Sequence, residues 1–304
     1  MRAVGWDGGE LRVREVPQRE PGPGEILIEV TRAGVTLPVV RGGGPGAEPP
    51  GGDVAGTVLA CGPEVTGWEP GRRIAGLAFR GAYAEHTIVS AGFAAPIPEG
   101  VSDDAAVAMV RGGQVALGVL QAAGVRTGDS VLVTAAAGGV GHLAVQLARV
   151  LGAGRVVAAI GPDGPAERVG ALHGLGADEV CRYPDLDGVE PVSVVLDGAG
   201  GSVLPAALGA LAPDGRLVTY NGVGGPVETT TLRMHAQSVI GFAMARLVAR
   251  DPDRYLSNRR RLWDENLRGT LSPLVHGPFP LDHAARAHAL IADRVNVGKV
   301  VLAP

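Results

Sequence analysis

Two rhythms of apolar and polar positions divide the chain. Over residues 1 to about 104 the apolar runs are short and alternate with polar residues. The segments 11–16, 25–31, 53–60, 72–78 and 85–89 read as strands, broken at Pro21-Gly22-Pro23-Gly24 and Glu69-Pro70-Gly71. That is the pattern of a small all-β, barrel-like domain. The stretch 41–52 holds Gly42, Gly43, Gly44 and Gly46 and no core-forming pattern, so it is expected to be a loop, and a mobile one. From Asp103 the rhythm changes to alternating helix and strand. A helix is predicted over 105–123, then strands at 131–135, 155–160, 179–181, 192–196, 216–220 and 239–242. Helices at 140–151, 165–175 and 202–211 lie between them. This alternation predicts a doubly wound parallel sheet. Beyond residue 246 come a polar helix (252–267), a further helix (281–294) and a terminal strand (298–302), and this tail is expected to rejoin the first domain.

The segment 130–151 carries the strongest chemical signal. An apolar strand runs into Gly138, Gly139 and Gly141, after which Val140, Leu143, Ala144, Leu147, Ala148 and Leu151 recur at helical spacing. Strand, glycine turn and helix in that order form the context in which a dinucleotide fingerprint is meaningful. The turn admits backbone to a pyrophosphate, and the helix N-terminus offers N–H groups and the positive end of its dipole. Ala136 replaces the first glycine of the usual template.

Composition narrows the partners. The chain has 304 residues, 46% of them hydrophobic and 19% charged, with net charge −4. That suits about two domains with large cores. It shows no basic stripe, so nucleic acid is not an expected partner. Cys61 and Cys181 are the only cysteines, far apart in sequence, and build neither a disulfide framework nor a thiolate zinc cluster. The sequence starts without a basic-then-apolar signal, and its apolar runs read as too short to span a bilayer. A cytoplasmic protein without membrane contact is expected.

Taken together, Gly51-Gly52-Asp53-Val54-Ala55-Gly56, Gly81-Ala82-Tyr83-Ala84-Glu85, the turn 135–141, Leu175-Gly176-Ala177-Asp178, Val195-Leu196-Asp197 and Gly298-Lys299-Val300-Val301-Leu302 resemble the medium-chain dehydrogenase/reductase superfamily. The likeness is to its zinc-free quinone oxidoreductase branch and covers nearly the whole chain. It implies an α/β fold: a Rossmann doubly wound parallel sheet inserted in a GroES-like β-barrel domain. The barrel would take residues 1–104 with 246–304, and the Rossmann domain 105–245. It also implies a homodimer, paired through the apolar edge strand at 239–242, since an unpaired edge of that kind invites aggregation.

The same resemblance bears on metal and cofactor. Zinc-dependent relatives carry Gly-His-Glu where this chain has Gly51-Gly52-Asp53, and their early cysteine falls near Thr36. A catalytic zinc needs about three protein ligands, so no metal is expected. The cofactor contacts implied are Gly138, Gly139, Val140, Gly141, Arg168, Tyr183, Asn221, Gly222, Val223 and Asn296. The second strand ends Ala158-Ala159-Ile160-Gly161 without the acid that bonds an NAD ribose. Asp163 beyond it argues for NADH, whereas Arg168 offers a phosphate two charge-assisted bonds. NADPH is therefore the expected cofactor, and a solvated helix charge is the alternative role for Arg168. On the substrate side Thr36, Arg111 and Gln114 are the candidates, ordinary helix surface being the alternative for the last two. Relatives' Asn-x-x-Asp pattern, loop tyrosine and Gly-Leu-Thr motif are replaced here by Thr36 to Val39, Gly42 to Gly44 and Gly112-Gly113-Gln114.

The function implied is NADPH-dependent reduction of a small-molecule carbonyl, either a quinone or a conjugated enone. Two alternatives stand beside it. One is a secondary-metabolite tailoring enzyme whose net reaction is a cyclisation or dehydration. The other is a non-enzymatic protein that binds or senses NADPH.

Overall fold

The period-two runs of the first hundred residues fold as antiparallel strands, and the mixed rhythm that follows folds as a parallel sheet. The computed structural model describes residues 1–44, 47–163, 165–220 and 223–304. Two compact units result, 1–111 with 273–304, and 112–272.

The first unit begins with β1 (Arg2–Asp7), β2 (Glu10–Glu15), β3 (Glu25–Gly34), α1 (Leu37–Arg41), β4 (Gly52–Cys61), β5 (Arg73–Ala78), β6 (His86–Ser90), β7 (Ala95–Pro96) and α2 (Asp103–Ala108). Helix α2 starts cleanly because Ser102 Oγ accepts from Ala105 N at 3.1 Å and Asp103 and Asp104 face the positive end of its dipole. A π-helical turn, Met109–Gly113, follows, and the division between the units falls inside it.

The second unit runs α3 (Gln114–Ala122), β8 (Ser130–Val133), α4 (Gly141–Val150), β9 (Arg155–Ile160), α5 (Ala166–Gly174), β10 (Glu179–Arg182), β11 (Val192–Asp197), α6 (Leu204–Gly209), β12 (Leu211–Thr219), α7 (Thr229–His235), β13 (Ser238–Gly241), α8 (Met244–Arg250) and α9 (Pro252–Leu267). The chain then returns to the first unit through β14 (Val275–Pro280), α10 (Ala284–Ala292) and β15 (Lys299–Ala303).

In the first unit a seven-stranded sheet takes the order β14-β15-β3-β4-β5-β7, with β6 also on β3, and β1 and β2 form a separate hairpin. Its core gathers Ile26, Ile28, Val54 and Ile74 from the strands and Tyr83 from the β5–β6 connection, with Leu281 and Ala287 from the returning tail. The second unit's six-stranded sheet has the order β10-β9-β8-β11-β12-β13, all parallel. Strand order reverses between β8 and β11, the point where such sheets bind their ligands.

The returning segment is shorter than the sequence suggests. Residues 246–272 stay with the second unit because α9 buries Tyr255, Asn258, Leu262 and Trp263. Asn258 Oδ1 accepts from Gln121 Nε2 of α3 at 2.8 Å. The stretch 41–52 opens on the last residue of α1 and closes on the first of β4, and Pro45 and Gly46 lie outside the described residues. The helical stretch Asp103–Ala122 corrects the reading of apolar lengths. Its 20 residues, with mean hydropathy 1.3, are long and apolar enough to cross a membrane, but 72% of that stretch is buried inside the fold.

Candidate functional site

In the second unit the carboxyl ends of β8, β11 and β12 converge on one hydrogen-bonded knot. Thr134, the first residue past β8, is fully buried and donates from Oγ1 to Asp197 Oδ1 at 3.0 Å. The same Oγ1 accepts from Gly198 N at 3.0 Å and Ala199 N at 3.1 Å. Asp197 Oδ1 accepts from Gly200 N at 3.0 Å, and Thr219 Oγ1 at the end of β12 reaches Oδ2 at 3.4 Å. A buried carboxylate is tolerated where backbone amides and hydroxyls satisfy it in this way. Its effect is to fix three strand ends relative to each other.

The glycine turn sits on this knot. Ala135 adopts a left-handed φ of 52° and its N–H donates to the Tyr183 hydroxyl at 3.1 Å. Ala136 N binds Ala159 O at 3.1 Å, and Gly138 N binds Ala135 O at 2.9 Å. A side chain at Gly141 would place its Cβ 2.2 Å from Ala135 O, so only glycine lets α4 begin this close to the turn. Gly200, at φ 63°, is constrained in the same way, since a Cβ there would lie 2.0 Å from Val223 O. No side chain caps the start of α4. His142 N donates to Gly138 O at 3.2 Å, and Leu143 N and Ala144 N donate to Val140 O at 3.1 and 3.0 Å, so the helix start offers an anion chiefly the positive end of its dipole. Ala136 stands for the usual first glycine and is fully buried.

Arg168 lies on α5, only 5% exposed, and burial lowers its pKa, with Tyr183 close enough to oppose the effect. The structure thus brings Arg168, Tyr183 and the turn into one neighbourhood. It adds Arg182, which the sequence reading missed: its Nη1 donates to Gly161 O at 3.2 Å and also to Pro162 O, at the end of β9. A second arginine beside the motif tyrosine was the available signal. Cys181 is a packing residue whose thiol is pushed up to about 11 by burial, with Glu179 and Asp185 adding to it. Val223 O accepts from Gly201 N at 3.1 Å, whereas Asn221 and Gly222 lie outside the described residues. A dinucleotide's pyrophosphate fits this arrangement, because the space that Gly141 leaves and the positive end of the α4 dipole are what such a group requires.

In the first unit the distinguishing feature is chemical rather than conformational: a buried charge cluster. Asp53 of β4, 1% exposed, accepts from Arg111 Nε at 2.6 Å and from Lys299 Nζ of β15. Burial alone would raise the Asp53 carboxyl, but Arg111 and Lys299 outweigh it and hold the group below the ordinary carboxylate range. Burial lowers the Lys299 ammonium against the pull of Asp53. Room for the lysine stem comes from Gly34, where a Cβ would lie 2.3 Å from Lys299 Cε. Arg111, carried by the π-helical turn, keeps about a third of its side chain exposed, at 32%. Asp53 and Lys299 belong to sequence motifs quoted for their likeness to a family, yet their pairing spans 246 residues and has no local signature.

Thr36 precedes α1, and its Oγ1 is buried with no hydrogen-bond partner among the described residues. Asn296 also belongs to the first unit, where its Nδ2 donates to Gly298 O at 2.9 Å. Gln114 is 1% exposed in the second unit and donates from Nε2 to Tyr255 O at 3.0 Å, so part of it holds α9 in place. Its Oε1 has no partner among the described residues. Gln114 is therefore a core residue of α3 and not helix surface. Among the described residues no three His, Cys, Asp or Glu side chains are grouped to hold a metal.

Comparison with known proteins agrees with this anatomy. Residues 22–99 match the model of the alcohol dehydrogenase GroES-like domain, and residues 175–302 that of the zinc-binding dehydrogenase. The 2-haloacrylate reductase of a Burkholderia species is 31% identical, with 95% of this chain and 94% of that protein covered. The chain belongs to the medium-chain dehydrogenase/reductase superfamily, in its zinc-free quinone oxidoreductase-like branch. A probable quinone oxidoreductase of Schizosaccharomyces pombe is 30% identical over 96% of this chain and 92% of its own length. A mycobacterial protein solved in complex with NADPH superposes with a TM-score of 0.90 at 31% identity, both chains covered in full. The fold is accordingly a GroES-like domain combined with a Rossmann sheet, and its relatives are oxidoreductases.

Proposed function

We propose that this chain is a zinc-independent, NADPH-dependent cytoplasmic oxidoreductase that reduces a quinone or a conjugated enone. The observation that carries the reading is the turn at the switch point of the parallel sheet. There Gly141 leaves space no other residue would leave, over an uncapped helix start. Gly138, Gly139, Val140 and Gly141 would hold the pyrophosphate, and Asn221, Gly222, Val223 and Asn296 are the further cofactor contacts proposed. Arg168 and Tyr183 would take the 2′-phosphate, and the arginine supports NADPH over NADH. When bound, the cofactor supplies a hydride.

The chain's own contribution is orientation. Asp197 and Thr134 hold the strand ends still, and preorganisation of this kind is what positioning requires. On the substrate side Thr36 offers a hydroxyl with no competing partner among the described residues, and Arg111 offers a guanidinium anchored by Asp53. Gln114 offers Oε1, which has no partner among the described residues. The relatives named for quinones and for 2-haloacrylate both act on electron-poor conjugated acceptors, which supports that substrate class here. Strand β13 ends the parallel sheet with Val239 and Ile240 only half-buried, which supports a homodimer paired along this edge.

The deciding experiment is NADPH oxidation by the purified chain with a panel of quinones and enones after exhaustive chelation. Turnover is expected, with quinones ahead of simple enones. Tight NADPH binding with every acceptor inert, and no other product formed, would instead leave a sensing protein. A non-reduced product from a native substrate would identify a tailoring enzyme.

A further inference from the structure

Past the carboxyl ends of β12 and β13 the second unit opens a cavity of about 740 Å³. Thr219, Tyr220, Phe242, Arg246 and Arg250 are among the residues that line it. The aromatic walls are fixed by missing side chains. A Cβ at Gly118 would lie 2.4 Å from the Phe242 ring, and one at Gly198 would lie 2.3 Å from the Tyr220 hydroxyl. Burial, with Asp197 and Tyr183 adding to it, keeps the Tyr220 phenol protonated far above neutral pH, so its O–H is a donor.

Arg246 and Arg250 are the charged residues among those that line the cavity. They are four residues apart on α8 and so share one face. Like charges at that spacing repel. Some arginines of this unit meet acids, as Arg216 meets Asp129 at 2.7 Å and Arg155 meets Glu179 at 2.9 Å, whereas Arg254 Nε donates to Gln121 Oε1 at 3.0 Å. Among the described residues no carboxylate pairs with Arg246 or Arg250. The adjacent Asp251 accepts from Arg254 N at 3.0 Å and is occupied as the cap of α9. The negative end of the α8 dipole accounts for a cation at Arg250, in the last turn, but not for Arg246 one turn earlier. Two guanidiniums with no carboxylate partner among the described residues, lining one cavity with two aromatic residues, make a receptor for an oxyanion joined to an unsaturated body.

We propose that this cavity binds the carboxylate or phosphate of an anionic conjugated substrate, gripped by Arg246 and Arg250. The proposal deepens the reductase reading above and rests on it for the identity of the unsaturated body. An arginine pair prefers planar, bidentate oxyanions, so an acid should be favoured over its amide.

The test is equilibrium binding by calorimetry to the full chain. The probes are crotonate, its uncharged match crotonamide, and crotonyl-coenzyme A as the phosphate-bearing form. In R246Q/R250Q at least one anion should bind about tenfold more weakly or worse, crotonamide far less affected, and added salt should weaken the wild-type interaction. R246K/R250K should restore part of the loss, which a damaged fold would not allow. Loss confined to crotonate assigns a carboxylate, and loss confined to the thioester assigns phosphate. Equal binding of both anions to wild type and variant overturns the proposal, and the arginines are then a solvated face. Equal losses for the anions and the amide overturn it too, since charge would not be the cause. NADPH oxidation with an uncharged quinone is scored separately. Its absence alongside an intact anion effect defeats the reductase reading and leaves the subsite standing. Its presence with flat anion arms does the reverse.

Discussion

The glycine turn and the Asp53–Lys299–Arg111 cluster solve opposite problems. The turn is a site made by leaving things out: no Cβ at Gly141 and no side-chain cap on α4. The cluster is a site made by putting things in, with one carboxylate and two cations packed where water does not reach Asp53 or Lys299. A site of omissions tolerates changes in polarity and is ruined by added volume. A buried charge cluster tolerates volume better than the loss of one partner. That contrast can be broken experimentally, beginning where the effect should be largest.

Replacing Lys299 with methionine keeps the stem and deletes the charge, leaving Asp53 buried with Arg111 alone. Removing one partner of a buried pair typically costs ~3–5 kcal/mol. Denaturant unfolding should show that loss in the transition of the first unit. The pair D53L/K299M should recover most of it, because the uncompensated charge is gone. A cost below about 1 kcal/mol for Lys299→Met would show that the cluster is no more than a surface ion pair.

The difference also explains what the sequence disclosed. The parallel sheet and the glycine turn were legible because their signals are local: strand, glycine spacing and helix within one stretch. Strand 155–160 and helix 252–267 emerge with the bounds that the pattern predicts. The cluster was not legible, because β4 and β15 meet only through the fold and a lone lysine near the C-terminus carries no pattern. Short elements failed for the same reason. Helices α1, α7 and α8 have five to seven residues and bury none of them, so no apolar period announces them. The reach of the tail was misjudged because α9 is polar in composition. It is held to α3 by amide contacts such as Gln121 to Asn258, which periodicity does not register.

A second way to sharpen the comparison uses pH. His288 in the first unit packs against Tyr83 at 3.1 Å, and burial lowers its pKa from the usual 6.5 to about 4. Burial and Asp53 push the Tyr83 phenol up, so it stays protonated and donates to a neutral imidazole. Below the unfolded pKa the unfolded chain binds the proton more readily than the native one. Stability from this group is therefore complete above pH 6.5 and is lost as pH falls towards 4. The loss should reach on the order of 3 kcal/mol, and His288→Gln should flatten the slope. Thermal melts of equal pH dependence in both proteins would remove His288 as the cause.

The cofactor preference should move next. Arg168→Ala deletes a charged partner worth about 1.5–3 kcal/mol. The ratio of NADPH to NADH affinity should then fall by roughly tenfold to a hundredfold. The folded structure should survive, since Arg168 sits on α5 outside the knot at Asp197. An unchanged ratio would move the 2′-phosphate contact elsewhere, and Arg182, beside the end of β9, is then the residue to replace.

The smallest change in atoms tests the turn itself. Gly141→Ala adds a single methyl, 2.2 Å from Ala135 O and 2.7 Å from Ala136 Cα, both backbone. Neither can swing aside as a side chain would. Ala135 already occupies a left-handed conformation and is tied to Tyr183, and Ala136 is tied to β9. The helix must therefore back away from the turn. Forced overpacking of this sort costs ~1–3 kcal/mol. The displacement acts on the helix start proposed to receive the pyrophosphate, so NADPH and NADH should weaken together with their ratio preserved. That is the opposite signature to Arg168→Ala, and fluorescence titration with both cofactors distinguishes the two. An alanine at 141 that left both affinities intact would mean that the turn is shaped for packing alone, and the contrast between the two regions would collapse.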